Sequence, residues 1–159
     1  MKSNKKVING VWFYGLSGSG KTTVSKYLKK NNFKKSLIID GDMVRKYIST
    51  DLNYNLSDRL IQLNRIYGLC KLCHMSNIFS ISSTVYMNNI TLKKLKNLDI
   101  LVIKIDRDFN LIKKFKIYQN TNVVGVDIKS KILDTDVIYN NGNINFFKLV
   151  RDYFINYTY

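Results

Sequence analysis

Short apolar runs alternate along the chain with longer segments in which apolar residues recur at helical spacing. The short runs predict strands over residues 7–14, 36–39, 78–82, 99–105 and 137–139. The longer segments predict helices over residues 21–30, 57–75, 91–96, 108–116 and 145–157, with Ser57 as the N-cap of the longest one. Strands that alternate with helices indicate an α/β fold with a mostly parallel sheet, helices on both faces, and ligands at the carboxyl ends of the strands.

The size and composition of the chain fit one globular domain. Its 159 residues contain no repeat and no Gly/Ser-rich linker, so we treat residues 1–159 as a single domain. Hydrophobic residues make up 45% and charged residues 23%, which is enough for a packed core and excludes a disordered chain. The apolar runs are too short to cross a bilayer, and the basic start at residues 1–6 leads into a glycine-rich loop instead of a signal-peptide cleavage site. We therefore expect a cytoplasmic protein with no transmembrane helix and no membrane partner.

The chain is also strongly basic. Lys and Arg number 26 against 11 Asp and Glu, a formal net charge of +15 at pH 7. A field of this sign attracts nucleotides, nucleic acid or acidic lipid. The same excess arises when a genome favours A and T codons, and abundant Asn and Ile with no Pro are typical of that bias. The charge alone therefore does not identify a partner.

Two cysteines and the single histidine form a Cys-x-x-Cys-His string at Cys70, Cys73 and His74, the pattern of covalent haem attachment. The string lies inside the predicted long helix of a chain with no export signal. Two cysteines and one histidine also fall one ligand short of a structural zinc site. We therefore interpret the cysteines as small side chains packed on one side of a helix.

The strongest chemical signal is a glycine-rich loop between the first predicted strand and the first predicted helix. Residues 15–22 read Gly-Leu-Ser-Gly-Ser-Gly-Lys-Thr and satisfy the phosphate-binding pattern G-x-x-x-x-G-K-[ST]. In such loops backbone N–H groups surround phosphate oxygens, the lysine neutralises the β- and γ-phosphates and the hydroxyl residue ligates Mg²⁺. Here that lysine is Lys21 and the metal ligand is Thr22. The expected MgATP-binding residues are Gly15, Ser17, Gly18, Ser19, Gly20, Lys21, Thr22 and Thr23.

Carboxylates follow the second predicted strand and therefore share a sheet edge with the glycine-rich loop. Of Asp40 and Asp42, one can hold the water of a metal ion while the other accepts a proton from an attacking hydroxyl group. Arg45, and Arg59 on the polar face of the long helix, offer guanidinium groups to an anionic acceptor.

These strings together resemble the adenylyl-sulfate kinases over residues 8–157. The resemblance rests on residues 15–22, on Ile-Asp-Gly-Asp-Met-Val-Arg at 39–45, on Asp-Leu-Asn-Tyr-Asn-Leu-Ser-Asp-Arg at 51–59, and on Asn-Val-Val-Gly-Val-Asp at 122–127. It is most specific over the first 65 residues. It implies a P-loop NTPase-type kinase that transfers the γ-phosphoryl group of MgATP to the 3′-hydroxyl of adenylyl sulfate.

The resemblance also implies roles for single residues. Asp42 is then the general base toward the acceptor 3′-hydroxyl, and Arg45 and Arg59 bind the anionic group of the acceptor. Tyr54 takes the place of an aromatic residue that stacks on the acceptor base. The remaining substrate-binding residues are expected to be Asp40, Gln62, Gly125 and Val126.

Two stretches depart from the family pattern. Residues 83–87 read Ser-Thr-Val-Tyr-Met where the family has Ile-Ser-Pro-Tyr-Arg, and this looks more like a divergent branch that includes kinases of cytidine diphosphoramidate. The family's lid is shortened, with Phe115 where an arginine falls and Lys113 and Lys114 as candidate substitutes. The alternatives are a kinase of another nucleotide such as cytidine diphosphoramidate, a nucleotide-binding module without turnover, or a basic nucleic-acid binder. We expect a small-molecule nucleotide partner and no specific nucleic acid, and a homodimer is left open.

Overall fold

The architecture is a parallel sheet covered by helices on both faces, as the sequence predicts. The computed structural model describes residues 5–129, 133–143 and 145–159. The first residues of the basic start, 1–4, lie outside that range. No helix within the described residues combines the length and apolar character needed to cross a bilayer. The elements are β1 (Lys6–Val7), β2 (Gly10–Tyr14), α1 (Lys21–Asn31), β3 (Ser36–Asp40), α2 (Gly41–Tyr47), α3 (Leu56–Met75), β4 (Phe79–Thr84), α4 (Asn89–Lys96), β5 (Ile100–Asp106), α5 (Phe109–Ile112), a 3₁₀ turn (Lys116–Gln119), β6 (Asp136–Tyr139), α6 (Asn145–Phe154) and β7 (Tyr157–Thr158).

Five of the strands form the main sheet in the order β3-β4-β2-β5-β6, and every neighbouring pair is parallel. In this register Asp40 at the end of β3 lies opposite Ser83, and Tyr14 at the end of β2 lies opposite Thr84. The carboxyl ends of the strands therefore meet at one edge of the sheet, and the loops that follow them can form one site.

Side-chain alternation along β2 divides the core into two layers. Val11 and Phe13 pack with α1 and α6, whereas Trp12 and Tyr14 pack with α3 and α4. All four side chains are buried, as expected for a central strand that is covered on both faces.

The two cysteines belong to the second of these layers, which confirms that they are packed helix residues. Both are free and buried, and the Cys70 thiol lies 3.0 Å from the hydroxyl of Ser82 on β4. Burial raises the pKa of Cys70 to about 12, so this thiol stays protonated and unreactive at neutral pH.

The ends of the chain differ from the sequence prediction. The first strand, predicted over 7–14, is broken at Asn9, whose side chain donates to the carbonyl of Leu98. Residues before the break form β1, which pairs with β7 in a separate two-stranded sheet. The last helix was predicted to reach residue 157 but ends at Phe154, because Tyr157 and Thr158 supply that second strand.

Two helices also begin or end at residues other than those predicted. The N-cap of α3 is Asn55 and not Ser57, because the Asn55 side chain accepts the backbone N–H of Asp58 and the Ser57 hydroxyl donates to Asn55. The helix predicted over 108–116 is only one turn long, at α5, and is followed by the 3₁₀ turn. The short helix α2 was not predicted, and it is capped by the side chain of Asp40.

Candidate active site

A cavity of about 730 Å³ opens at the carboxyl edge of the sheet. Its walls come from the glycine-rich loop, α2, the start of α3, the end of β4 and the segment 117–124. The predicted site residues that line it from the loop are Ser17, Gly18, Gly20, Lys21, Thr22 and Thr23, and those from the other walls are Asp40, Asp42, Arg45, Tyr54, Arg59 and Gln62. The structure therefore brings most of the predicted site residues into one cavity.

Three carbonyl groups of the glycine-rich loop accept hydrogen bonds from side chains in distant parts of the chain. Tyr118 donates to the carbonyl of Ser17 at 2.7 Å, Arg107 to that of Gly18 at 3.0 Å, and Asn140 to that of Ser19 at 2.7 Å. In a trans peptide the N–H group of the next residue points opposite to the carbonyl group. Fixing the carbonyls of Ser17 and Ser19 therefore turns the N–H groups of Gly18 and Gly20 the other way, whereas the N–H group of Ser19 donates to the carbonyl of Leu16.

Glycine is needed where the loop enters α1. Gly20 is the N-cap of α1 with a φ of 104°, and a Cβ there would overlap the side-chain amide of Asn140. The close approach lets the first turn of the helix and its dipole face the cavity, where they favour an anion.

Lys21 is buried at the first position of α1. Its ammonium group donates to the carbonyls of Gly15 and Leu16, each at 2.8 Å. Burial lowers the pKa of Lys21 to about 8, and the nearby carboxylates of Asp42 and Asp40 partly oppose that shift. At neutral pH the cavity therefore contains a poorly hydrated cation next to two carboxylates.

The two carboxylates differ in their surroundings. Asp40 accepts hydrogen bonds from the Thr22 hydroxyl at 2.8 Å, from the Ser83 hydroxyl at 3.0 Å, and from the backbone N–H of Asp42 at 3.0 Å. Within the described residues the carboxylate of Asp42 accepts no hydrogen bond, and this side chain is exposed in the cavity. Asp40 is thus held in place by three hydrogen bonds, whereas Asp42 is available to a ligand.

The hydroxyl and carboxylate oxygens suit magnesium. Among the described residues no three His, Cys, Asp or Glu side chains form a metal cluster, so a metal ion here would need ligands from a phosphate chain. Mg²⁺ is commonly held in that way, by one or two protein oxygens together with phosphate oxygens and water. The adjacent oxygens of Thr22 and Asp40 fit this arrangement.

Two arginines flank one tyrosine in the lining of the same cavity, and we call Arg45, Tyr54 and Arg59 the arginine–tyrosine cluster. The guanidinium carbons of Arg45 and Arg59 lie 4.7 and 5.7 Å from the centre of the Tyr54 ring. Arg59 also donates to the carbonyls of Tyr54 and Asn122, at 2.9 and 2.8 Å. Burial and the charge of Arg45 both lower the pKa of Arg59, which shows that the two like charges repel each other. Within the described residues neither arginine forms an ion pair. An anion between them would remove that repulsion.

Some predicted site residues lie outside the cavity lining. Gly125 and Val126 were expected in the acceptor pocket, but a Cβ at Gly125 would meet Leu16 at 2.7 Å, and Val126 is half exposed. The wall formed by this segment instead ends at Val124. Gly15 and Ser19 belong to the glycine-rich loop but stand behind its inner surface, with Ser19 fully buried.

Sequence comparison points to one family. The family model described as adenylylsulphate kinase matches residues 8–99, more than half of the chain. The adenylyl-sulfate kinase of Bacteroides thetaiotaomicron is 38% identical over 82 residues, which cover 50% of this chain and 41% of that one. The enzyme of Prochlorococcus marinus is 42% identical over 74 residues, which cover 45% of this chain and 36% of that one. The match thus spans about two fifths of the length of these curated relatives.

Structural comparison extends the likeness of the fold to about nine tenths of the chain. The APS kinase of Mycobacterium tuberculosis, solved with AMPPNP and APS, has a TM-score of 0.72 at 18% identity and covers 92% of this chain and 95% of that one. A gluconokinase of Sinorhizobium meliloti has a TM-score of 0.62 at 14% identity, covering 92% of this chain and 90% of that one. At such identities the comparison establishes the shared α/β fold alone.

Proposed function

This chain belongs to the adenylylsulphate kinase family, and on that basis we propose that it transfers the γ-phosphoryl group of MgATP to the 3′-hydroxyl of adenylyl sulfate. The observation that carries the proposal is the arrangement of one cavity. The glycine-rich loop lines one part of the cavity, the arginine–tyrosine cluster lines another part, and the exposed carboxylate of Asp42 stands on α2 in the same lining. Two nucleotides that must meet in line need such a two-sided cavity.

The donor side binds through the glycine-rich loop. Backbone N–H groups and the start of α1 receive the phosphate chain, and Lys21 neutralises its β- and γ-oxygens. The ammonium group already lies at the loop, held by the carbonyls of Gly15 and Leu16, so a small movement brings it to a phosphate. Thr22 and Asp40 would hold the magnesium ion of the donor.

The acceptor side supplies the general base. Asp42 accepts the proton of the 3′-hydroxyl as the oxygen forms a bond to the γ-phosphorus, and the bond from that phosphorus to the β–γ bridging oxygen breaks to release ADP. Asp40 is less suited to this task because its oxygens accept hydrogen bonds from Thr22, Ser83 and the N–H group of Asp42. The arginine–tyrosine cluster binds the nucleobase and the anionic group of the acceptor nucleotide.

A second acceptor is favoured by one wall of the same cavity. Residues 83–86, at the end of β4 and just beyond it, line the cavity and belong to the stretch that departs from the family pattern. The same transfer to a cytidine diphosphate derivative such as cytidine diphosphoramidate is therefore the second candidate. An ATP-consumption assay with adenylyl sulfate, with cytidine diphosphoramidate and with no acceptor separates the two reactions from a module without turnover.

Substituting either arginine of the arginine–tyrosine cluster should weaken the binding of the acceptor and leave the binding of the donor unchanged. In Arg45→Ala or Arg59→Ala we expect the KM for the acceptor to rise about 10- to 150-fold, because a charge-assisted hydrogen bond contributes roughly 1.5 to 3 kcal/mol. Arg45→Lys should restore only part of the affinity for the acceptor, since an ammonium group cannot form a bidentate hydrogen bond. The measurement is a pair of steady-state titrations, one in each substrate.

The matched control is Arg65→Ala. Arg65 lies on the same helix as Arg59, but it forms a surface ion pair with Asp51 at 2.5 Å and does not line the cavity. This variant should keep both KM values. An equal rise in the KM values for donor and acceptor in Arg45→Ala and Arg59→Ala would contradict the division of the cavity into two sides.

The lowered pKa of Lys21 predicts proton uptake when MgATP binds above neutral pH. At pH 8.5 more than half of the free protein holds a neutral Lys21, because the pKa is about 8. Phosphate oxygens favour the protonated amine, so binding should take up part of a proton at pH 8.5 and little at pH 6.5, where Lys21 is already charged. Calorimetric titrations in two buffers of different ionisation enthalpy measure this uptake. Equal uptake at both pH values would contradict the assignment to Lys21.

A further inference from the structure

A third arginine lines the cavity, on the donor side. Arg107 directly follows β5, and its Nη1 donates to the carbonyl of Gly18 at 3.0 Å. On its other side the guanidinium lies against the turn at Gly142, where a Cβ would come within 3.1 Å of Nη2. The side chain therefore stands between the glycine-rich loop and the turn that follows β6.

The charge of Arg107 is poorly compensated. Within the described residues it forms no ion pair, because Asp106 pairs with Lys104 and the Asp108 side chain caps α5. Its Nε is buried and has no hydrogen-bond partner among the residues that the structure describes. A guanidinium group carries five N–H donors, and in the described part of the chain this one makes a single hydrogen bond, to a neutral carbonyl group. A half-buried cation in that state is stabilised by an anion, and phosphate oxygens match the geometry of a guanidinium.

The position of Arg107 in the cavity indicates which anion it binds. Arg107 contacts the carbonyl group of Gly18 and lines the same cavity as the glycine-rich loop, which we assign to the donor phosphates, whereas Arg45 and Arg59 lie at the Tyr54 ring on the acceptor side. We propose that Arg107 binds a phosphate group of the donor nucleotide and is a second donor-side cation beside Lys21. This inference rests on the proposed function for the identity of the donor.

The test compares two substitutions of Arg107 that differ in charge. Arg107→Lys keeps the cation, whereas Arg107→Gln keeps a side-chain N–H donor but removes the charge. We expect Arg107→Gln to raise the Kd of MgATP and of magnesium tripolyphosphate about 10- to 150-fold, and Arg107→Lys to raise both only a few-fold. The Kd of adenylyl sulfate should not change. Arg151→Gln removes the same charge from an exposed position on α6 and should leave every Kd unaltered.

Each other result counts against the proposal. Wild-type affinity in Arg107→Gln, or equal losses in Arg107→Gln and Arg107→Lys, would show that Arg107 only positions Gly18. A loss for MgATP without a loss for tripolyphosphate would place Arg107 on the base or the ribose and not on a phosphate. The proposed function is judged separately: a wild-type protein that binds MgATP but transfers no phosphoryl group leaves the Arg107 inference intact and overturns the reaction.

Discussion

Lys21→Ala should abolish productive nucleotide binding. Under the proposed function the ammonium group of Lys21 binds the donor phosphates, so its removal would take away charge-assisted hydrogen bonds to two of them. At roughly 1.5 to 3 kcal/mol for each bond, kcat/KM for MgATP should fall by about 10² to 10⁴. The variant also leaves the carbonyls of Gly15 and Leu16 without their donor, so its thermal unfolding has to be measured beside its kinetics.

Lys30→Ala is the matched control for Lys21→Ala. Lys30 lies on the same helix, is exposed, and carries the same charge away from the cavity. We expect wild-type kinetics in this variant. Wild-type affinity for MgATP in a folded Lys21→Ala protein would count decisively against the assignment of the glycine-rich loop to the donor phosphates.

Asp42→Asn should retain nucleotide binding and lose turnover. The two side chains are nearly equal in size, and within the described residues the Asp42 carboxylate accepts no hydrogen bond that the amide would break. Loss of a general base costs about 10² to 10⁴ in rate, so kcat should fall by that factor while the Kd of MgATP at pH 7 stays within a few-fold. Single-turnover rates and equilibrium binding, measured on the same preparation, separate the two effects.

Asp40→Asn distinguishes the roles of the two carboxylates. Its amide cannot accept the hydrogen bonds of Thr22, Ser83 and the Asp42 N–H group equally well, so both stability and magnesium dependence should change. Asp152→Asn, at an exposed position on α6, controls for the loss of one negative charge. An unchanged kcat in Asp42→Asn together with a lost kcat in Asp40→Asn would move the base to Asp40.

Local features of the chain could be predicted from sequence alone. The glycine-rich loop and the strands beside it follow from periodicity and from residue types at fixed spacing, and the structure places that loop between β2 and α1 as expected. The strings at 39–45 and 51–59 also bring Asp42, Arg45 and Arg59 to the cavity, because each lies within a few residues of an element that was recognised. The helix α2 was missed since Asp-Gly-Asp is typical of a turn, although Asp40 caps the helix through the N–H group of Asp42.

Contacts between distant segments could not be predicted. Arg107, Tyr118 and Asn140 reach the glycine-rich loop across 89, 101 and 121 positions of the chain, and no local pattern marks them. The placement of Gly125 failed for a related reason. A glycine with positive φ can face either a ligand or a neighbouring side chain, and only the folded chain shows that Leu16 fills the space beside it.

The pairing of β3 with β4 makes the position of Asp40 depend on the hydrophobic core. Asp40 reaches Ser83 and Thr22 because it is the last residue of a strand that pairs in register with β4, where Ile38 lies opposite the buried Ile81 and the buried Ile39 lies opposite Ser82. A slip of one residue would move Asp40 by about 3.3 Å and turn its side chain to the other face of the sheet. Catalytic groups must keep their positions to within about 0.5 Å, a tolerance much smaller than that step. The precision of alignment in this site therefore depends on apolar packing that touches no substrate.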